Sequence, residues 1–139
     1  MAITTHVVIV SAEREIFSGL AEMLVATGEF GEVGVIQGHA PLLTKLKPGD
    51  VRVTLPGGKH DIYYVSGGIL EVQPGMVTVL ADVVERADSL DEAAAELAKQ
   101  KALEAMSQKG ADFDYSVAAI ELARAVAQIR AIQKLRKQM

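Results

Sequence analysis

The residues suited to chemistry in this sequence are few and scattered. The histidines His6, His39 and His60 lie far apart, with no spacing such as H-E-x-x-H that would aim two imidazoles at one metal ion. Ser11, Ser18, Ser66 and Ser89 fall at expected turns or caps, and none can be matched to a base and an orienting acid. Glu13 and Glu15 could work as an acid–base pair only inside a shared cleft, and as neighbours on a strand they read as a solvated face. There is no cysteine, which removes thiol nucleophiles, thiolate metal sites and disulfides. A phosphate loop of the form G-x-x-x-x-G-K-[ST] is missing. The glycine-rich stretch Gly28-Glu29-Phe30-Gly31-Glu32-Val33-Gly34 carries acids that repel phosphate and opens no long helix, so it reads as a turn-rich hairpin. These patterns predict a binding module, not an enzyme, with no cofactor and no metal.

Two segments are specific enough to suggest docking. Gly38-His39-Ala40-Pro41-Leu42-Leu43 sets an imidazole and a proline beside two leucines. If the leucines are exposed, this is a compact protein-binding surface; if they turn inward, it is an ordinary loop. The second segment is Ser66-Gly67-Gly68-Ile69-Leu70-Glu71-Val72-Gln73-Pro74-Gly75.

The elements that must position these segments come in two kinds. In the first 84 or so residues, short β-branched or alternating runs are punctuated by glycine and proline. Thr5–Val10, Gly31–Ile36, Val51–Leu55, Ile62–Val65, Ile69–Val72 and Met76–Val84 read as strands of a sandwich or barrel. Pro48-Gly49-Asp50, Pro56-Gly57-Gly58 and Gln73-Pro74-Gly75 are expected to end strands, because proline cannot donate into a ladder. After Arg86 glycine and proline nearly vanish and alanine rises. Ser89-Leu90-Asp91-Glu92 has the form of a capping box, with Ser89 as N-cap. It predicts a helix from about Leu90 to Gln108, ended at Gly110 with Lys109 in its last turn. A second helix, capped by Asp112 or Asp114, is expected to run to about Lys137, giving an antiparallel hairpin. The domain division falls at residues 1–86 and 87–139.

The apolar stripes of these helices are weak. Leu90, Ala94, Leu97, Ala98 and Met106 mark the first; Tyr115, Leu122, Val126 and Ile129 mark the second, with Ile132, Leu135 and Met139 drifting off. Alanine buries little area, so two readings stand: a marginal hairpin that can leave the sheet domain, or an ordinary fixed one.

The 139 residues, half of them apolar, suffice for one ordinary or two small domains. Formal charge is −4, unevenly placed: residues 1–89 hold 11 acids and 6 bases, residues 90–139 hold 7 acids and 8 bases. From Arg124 onward there are bases and no acid. The distribution argues against general nucleic-acid binding. It fits either an acidic protein partner for the basic end or the preference of cations for a helix C-terminus. No run reaches the roughly 20 apolar residues of a spanning helix, and the N-terminus lacks a signal-peptide pattern. Membrane association is therefore expected only through a partner.

In order and spacing, several blocks resemble the epsilon subunit of bacterial F-type ATP synthases. They are Val10-Ser11-Ala12-Glu13, Phe17-Ser18-Gly19, Gly31-Glu32-Val33-Gly34-Val35, Gly38 to Leu43, Lys47-Pro48-Gly49, Ser66 to Val72, Val77 to Asp82, Leu90-Asp91-Glu92-Ala93 and Asp112-Phe113-Asp114-Tyr115. The resemblance runs nearly end to end. It implies an N-terminal β-sandwich of about ten strands followed by a C-terminal antiparallel two-helix hairpin. It implies a non-catalytic rotor subunit of the central stalk, at the cytoplasmic face of the bacterial inner membrane, that couples the catalytic head to the proton-driven c-ring. Its hairpin would fold on the sandwich or extend into the head, the extended form inhibiting ATP hydrolysis. By motif, Glu32, His39 and Pro41 would meet the c-ring, and Ser11 and Ser66 the gamma subunit. Arg124, Arg130, Lys134 and Arg136 would meet the acidic beta subunits of the alpha/beta head in the extended form.

One departure concerns ATP. Some relatives hold it between the helices with a pattern of Ile or Leu, Asp, two residues, Arg and Ala. Here Leu90-Asp91-Glu92-Ala93-Ala94-Ala95 puts Ala94 where the phosphate-gripping arginine would be. Asp91 and Arg124 remain as weak candidates, and ATP binding is expected to be weak or absent. A free-standing nucleotide sensor and an unrecognised hydrolase are the alternatives. The missing arginine counts against the first and the missing nucleophile–base pair against the second.

Overall fold

The computed structural model describes residues 3–107 and 115–137. The first part is a β-sandwich built from β1 (Thr5–Val10), β2 (Glu15–Ala21), β3 (Met23–Gly28), β4 (Gly31–Val35), β5 (Leu42–Thr54), β6 (His60–Val65), β7 (Gly68–Gln73), β8 (Met76–Ala81) and β9 (Val84–Arg86). A 3-10 turn, Ala87–Ser89, leads to α1 (Glu92–Ser107) and α2 (Tyr115–Lys137).

The strands follow the order β2-β1-β8-β7-β5-β3-β4, with β6 on β5 and β9 on β6. β1 and β8 are parallel, with His6 opposite Met76 and Val10 opposite Leu80, and every other pairing is antiparallel. Alternate residues of the two layers meet in the core. Val7, Ile9, Leu70, Val77 and Val79 from one side pack with Leu24, Val51, Val53, Tyr63 and Val65 from the other.

The described residues form nine strands, not about ten, because β5 serves both layers. Leu42–Leu46 pairs with β7, and Gly49–Thr54 pairs with β6. The expectation that Pro48-Gly49-Asp50 ends a strand is therefore corrected. The chain stays extended there, and only its partner changes. Proline's missing donor falls between the two ladders, where no bond is lost. Gly49 lets the chain pass close to Thr27, since a Cβ on it would lie 2.7 Å from that side chain. The turns at Pro56-Gly57-Gly58 and Pro74-Gly75 do end strands, with Gly57, Gly58 and Gly75 at positive φ. The hairpin read from Gly28 to Gly34 is the β3–β4 turn.

β2 and β3 were not legible as strands. β2 is an edge strand with only Ala21 buried, so it lacks clean alternation. β3, Met-Leu-Val-Ala-Thr-Gly, has apolar residues on both faces and no breaker before Glu22.

The first helix starts differently from its expected capping box. Asp91, not Ser89, is the cap: its Oδ1 accepts from the Ala94 amide at 3.2 Å, and its carbonyl accepts from Ala95 at 3.0 Å. The Ser89 hydroxyl instead donates to the Arg86 carbonyl at 3.0 Å and closes the 3-10 turn. Gln108, Lys109, Gly110, Asp112, Asp114 and Met139 lie outside the described residues. The expected α1 stripe is also corrected. Ala95 and Ala102 are buried, while Ala94, Leu97 and Ala98 face out. In an alanine-rich helix polarity hardly differs between faces, so the sequence does not mark the buried one.

α2 buries two faces, which explains why its apolar residues drift. Ala118, Ala125, Ile129 and Ile132 recur at the intervals of a helix–helix seam. Ala127 and Ala131, with Leu135 beside them, pack on Ile62, Tyr64 and Ala87 of the sandwich side. The hairpin thus lies on the β5–β6 face. Among the described residues, no helix is long and apolar enough to cross a membrane.

Candidate protein-docking surfaces

The outer face of the first layer presents the residues left over from core alternation. Val7, Ile9, Val77, Val79 and Leu70 point inward, so Leu20, Met76, Leu80 and Ile69 point outward, and all four are exposed. The register joins them: Leu20 lies opposite His6, His6 opposite Met76, Val10 opposite Leu80 and Leu80 opposite Ile69. Leu43 on β5 lies opposite Glu71, at the end of the row that holds Val8 and Thr78. Polar residues stand among them: His6, whose Nε2 lies 3.1 Å from the Ser18 hydroxyl, and Thr78 and Glu71 opposite each other. Exposed apolar residues clustered on one face of a small domain make it a candidate protein interface.

At one end of that face lies a depression of about 580 Å³. Ser11 and Ser66 both line it, so the structure brings these two sequence candidates together. Each hydroxyl holds a loop. Ser11 Oγ accepts from the Arg14 amide at 3.2 Å and donates to the Arg14 carbonyl at 3.1 Å. Ser66 Oγ accepts from the Val83 amide at 3.1 Å. Ala12 N–H donates to the Asp82 carbonyl at 3.3 Å and ties the two loops to each other. Gly68 is required on the floor: at φ +154° its backbone passes so close to β8 that a Cβ would sit 1.9 Å from the Leu80 carbonyl oxygen.

Glu32, His39 and Pro41 are not gathered in one place. Glu32 starts β4, exposed, 3.6 Å from Lys134 Nζ. His39 and Pro41 follow the far end of that strand, with His39 Nδ1 at 2.6 Å from the Ala40 carbonyl. The two leucines of this loop divide: Leu42 packs on the core and Leu43 is 69% exposed. Phe30, at the β3–β4 turn, is 94% exposed, and sequence reading gave it no role.

The basic residues of α2 differ among themselves. Arg136 makes a two-pronged pair with Glu92 of α1. Lys134 reaches both carboxylate oxygens of Asp50 at 2.9 Å. Arg124 and Arg130 are exposed. The Arg136–Glu92 pair places the start of α1 beside the end of α2. Arg124 is therefore roughly 18 Å along the axis from Asp91's end of the hairpin, at 1.5 Å per residue. These two ATP candidates are not brought together, and the Asp91 carboxylate is already engaged as the α1 cap.

Where the two parts join, Arg86 anchors the linker. Its guanidinium lies 5.2 Å from the centre of the Tyr63 ring, donates to the Tyr63 hydroxyl at 3.1 Å and pairs with Asp61 at 3.4 Å. Burial pushes the Tyr63 phenol up, against the pull of Arg86. Burial also pushes Tyr64 up, opposed by Arg124 and by a hydrogen bond with Gln128 of α2. Among the described residues, no three potential metal ligands gather.

Comparison with known proteins agrees with this architecture. Residues 4–87 match the family model of the ATP synthase delta/epsilon chain β-sandwich domain, and residues 88–133 match that of its long α-helix domain. Proteins named ATP synthase epsilon chain from Legionella pneumophila strains Corby and Paris are 71% identical over 139 residues, covering 100% of this chain and 99% of theirs. A chain in the mitochondrial ATP synthase of Euglena gracilis, solved as OSCP/F1/c-ring, superposes with TM-score 0.85 at 21% identity, over 95% of this chain and 83% of that one. A chain of the Tetrahymena thermophila central stalk/c-ring gives 0.53 at 14% identity, covering 94% of each. At such identities the two structures speak for the fold alone.

Proposed function

The chain belongs to the epsilon-subunit family of bacterial F-type ATP synthases, and from that membership we propose that it works as a rotor clamp with a regulatory hairpin. The sandwich, residues 1–86, grips the gamma subunit through the outer face of β2, β1, β8 and β7 and through the depression lined by Ser11 and Ser66. The loops carrying Glu32, His39 and Pro41 meet the c-ring. The helical unit, residues 87–139, lies on the sandwich at rest. It extends toward the alpha/beta head to oppose ATP hydrolysis, with Arg124, Arg130, Lys134 and Arg136 facing acidic segments. The subunit itself turns over no substrate and sits peripherally at the cytoplasmic face of the inner membrane, held there by its partners.

The observation that carries this reading is the group of exposed apolar residues Leu20, Met76, Leu80 and Ile69, set in two cross-strand rows on a face that no element of the described chain covers. Central apolar residues of an interface dominate its affinity. Leu80→Asp should therefore weaken capture of purified gamma at least about tenfold, the loss of one hot-spot residue, with the sandwich still folded. Unchanged capture would remove gamma from this face. Deleting the residues after Asp88 should leave assembly intact and relieve any inhibition of hydrolysis. Equal hydrolysis by truncated and full-length assemblies under all conditions would end the inhibitory role.

A further inference from the structure

The hairpin is held on the sandwich by small apolar residues and by one charge pair, a buried carboxylate under a partly exposed lysine. Ala127 and Ala131 form the apolar centre of the contact and can each bury only a methyl group. Asp50 is different. It is one of two buried polar or charged residues among those described, and its side chain is 8% exposed. It stands on β5 just past the point where that strand changes partners. Lys134, three turns of helix beyond Arg124, closes over it with both Nζ–O distances at 2.9 Å. Glu32 lies 3.6 Å from the same ammonium on its exposed side. Among the described residues, the ion pairs joining hairpin to sandwich both end on Lys134.

We infer that Asp50 and Lys134 form the latch that sets how often the hairpin lies on the sandwich, with Glu32 as a weaker second acceptor. This rests on the reading of the hairpin as a detachable unit. The carboxylate loses its water only when α2 docks, so the pair exists only in the docked state. A buried charge deprived of its partner is far costlier than the intact pair is favourable. The latch is therefore asymmetric. With Lys134 present, docking satisfies Asp50; without it, docking leaves a buried carboxylate with no cation, and undocking rehydrates it. Removing both charges lifts that penalty.

The chain has no cysteine, so one dye pair can be placed cleanly at Lys59→Cys on the sandwich and Ala98→Cys on α1, both exposed. Energy transfer in the full-length chain then reads the docked fraction. Lys134→Met should raise the undocked-to-docked ratio about tenfold or more, whereas Glu32→Gln should change it little. Adding Asp50→Asn to Lys134→Met should return most of the lost docking, and the reversed pair Asp50→Lys with Lys134→Asp should dock better than either single change. Circular dichroism of the sheet keeps a misfolded variant from being counted as undocked. The latch is overturned by wild-type energy transfer in Lys134→Met. It is equally overturned if that variant undocks but neither double variant recovers, since the residues would then act through packing. Gamma capture by the same variants tests the rotor reading separately. That surface lies on the other sheet face, so the latch can fail while the reading stands, and the reverse.

Discussion

Val7, Ile9, Val77 and Val79 hold β1 and β8 to their opposing layer as wholly buried branched side chains, whereas Ala127 and Ala131 hold α2 to β6 as methyl groups. At roughly 25 cal/mol per Å² of apolar area removed from water, the first kind of contact far outweighs the second. The two regions are thus built to different strengths within one chain. The sandwich core is large, branched and free of charge. The hairpin contact is small, and its most specific member is an ion pair that water can replace. The first kind of contact suits a rigid platform, and the second suits the detachable hairpin proposed above.

The contrast breaks most visibly at the core. Leu70→Ala should cost about 2–5 kcal/mol in urea unfolding, because a wholly buried leucine leaves a cavity in a sheet that cannot collapse around it. Ala131→Asp should act elsewhere. An unpaired carboxylate at a wholly buried position of α2 costs about 3 kcal/mol of hairpin docking, the lower end for an uncompensated buried charge. Amide exchange should then quicken on the outer side of β6 and leave the core amides of β1 protected. If the core loosened too, the two regions would be one cooperative unit.

Alkaline titration probes both regions at once. Tyr63 and Tyr64 hold their protons more tightly when folded, because burial raises both above the usual 10.0. The folded state then binds more protons than the unfolded one, so stability is fully present below about pH 10 and falls as pH rises through the folded values. Tyr64, which packs with the helix and bonds Gln128, should ionise more readily in a chain truncated after Asp88, and Tyr63 should not shift. Absorbance of tyrosinate against pH checks this.

Asp91→Ala should cost α1 about 1 kcal/mol, the usual value of an N-cap, and unprotect the Ala94 amide. Ser89→Ala should leave that amide protected. The smallest effect belongs to the outer face of the hairpin: Leu97→Gln, at a 55% exposed position, should change stability by no more than about 0.5 kcal/mol. A loss of several times that would show that the exposed face of α1 is covered in solution.

The division into a sheet part and a helical part was legible because glycine and proline stop near Arg86 and alanine takes over. β4, β6 and β7, flanked by such breakers, and β1, a β-branched run, could be read directly. The strand expected over Met76–Val84 is in fact β8, ending at Ala81, plus the start of β9, which leaves to pair with β6. β2 and β3 could not be read, since Glu22 between them is no breaker. Nor could the path of β5, where Pro48 and Gly49 mimic a turn while the chain runs straight on into a second layer. Ser89 looked like the cap because the spacing to Glu92 suited it, yet a 3-10 turn absorbed that serine and passed the cap to Asp91. The pairing of Asp50 with Lys134 joins residues 84 positions apart and leaves no local pattern in a single chain. Ser11 and Ser66 could be singled out from their motifs, but the loop contacts that put them in one depression needed the folded sheet.

The parallel pairing of β1 with β8 imposes an order on folding. β1 leaves a ribosome some seventy residues before its neighbour at Met76, so early on it can pair with β2 and not with β8. Closing so long a span is slow, and the half-built sheet presents a bare edge until then. The helices come last and meet a finished surface. Their arrival seals Asp50 but cannot direct the assembly of the strands beneath it.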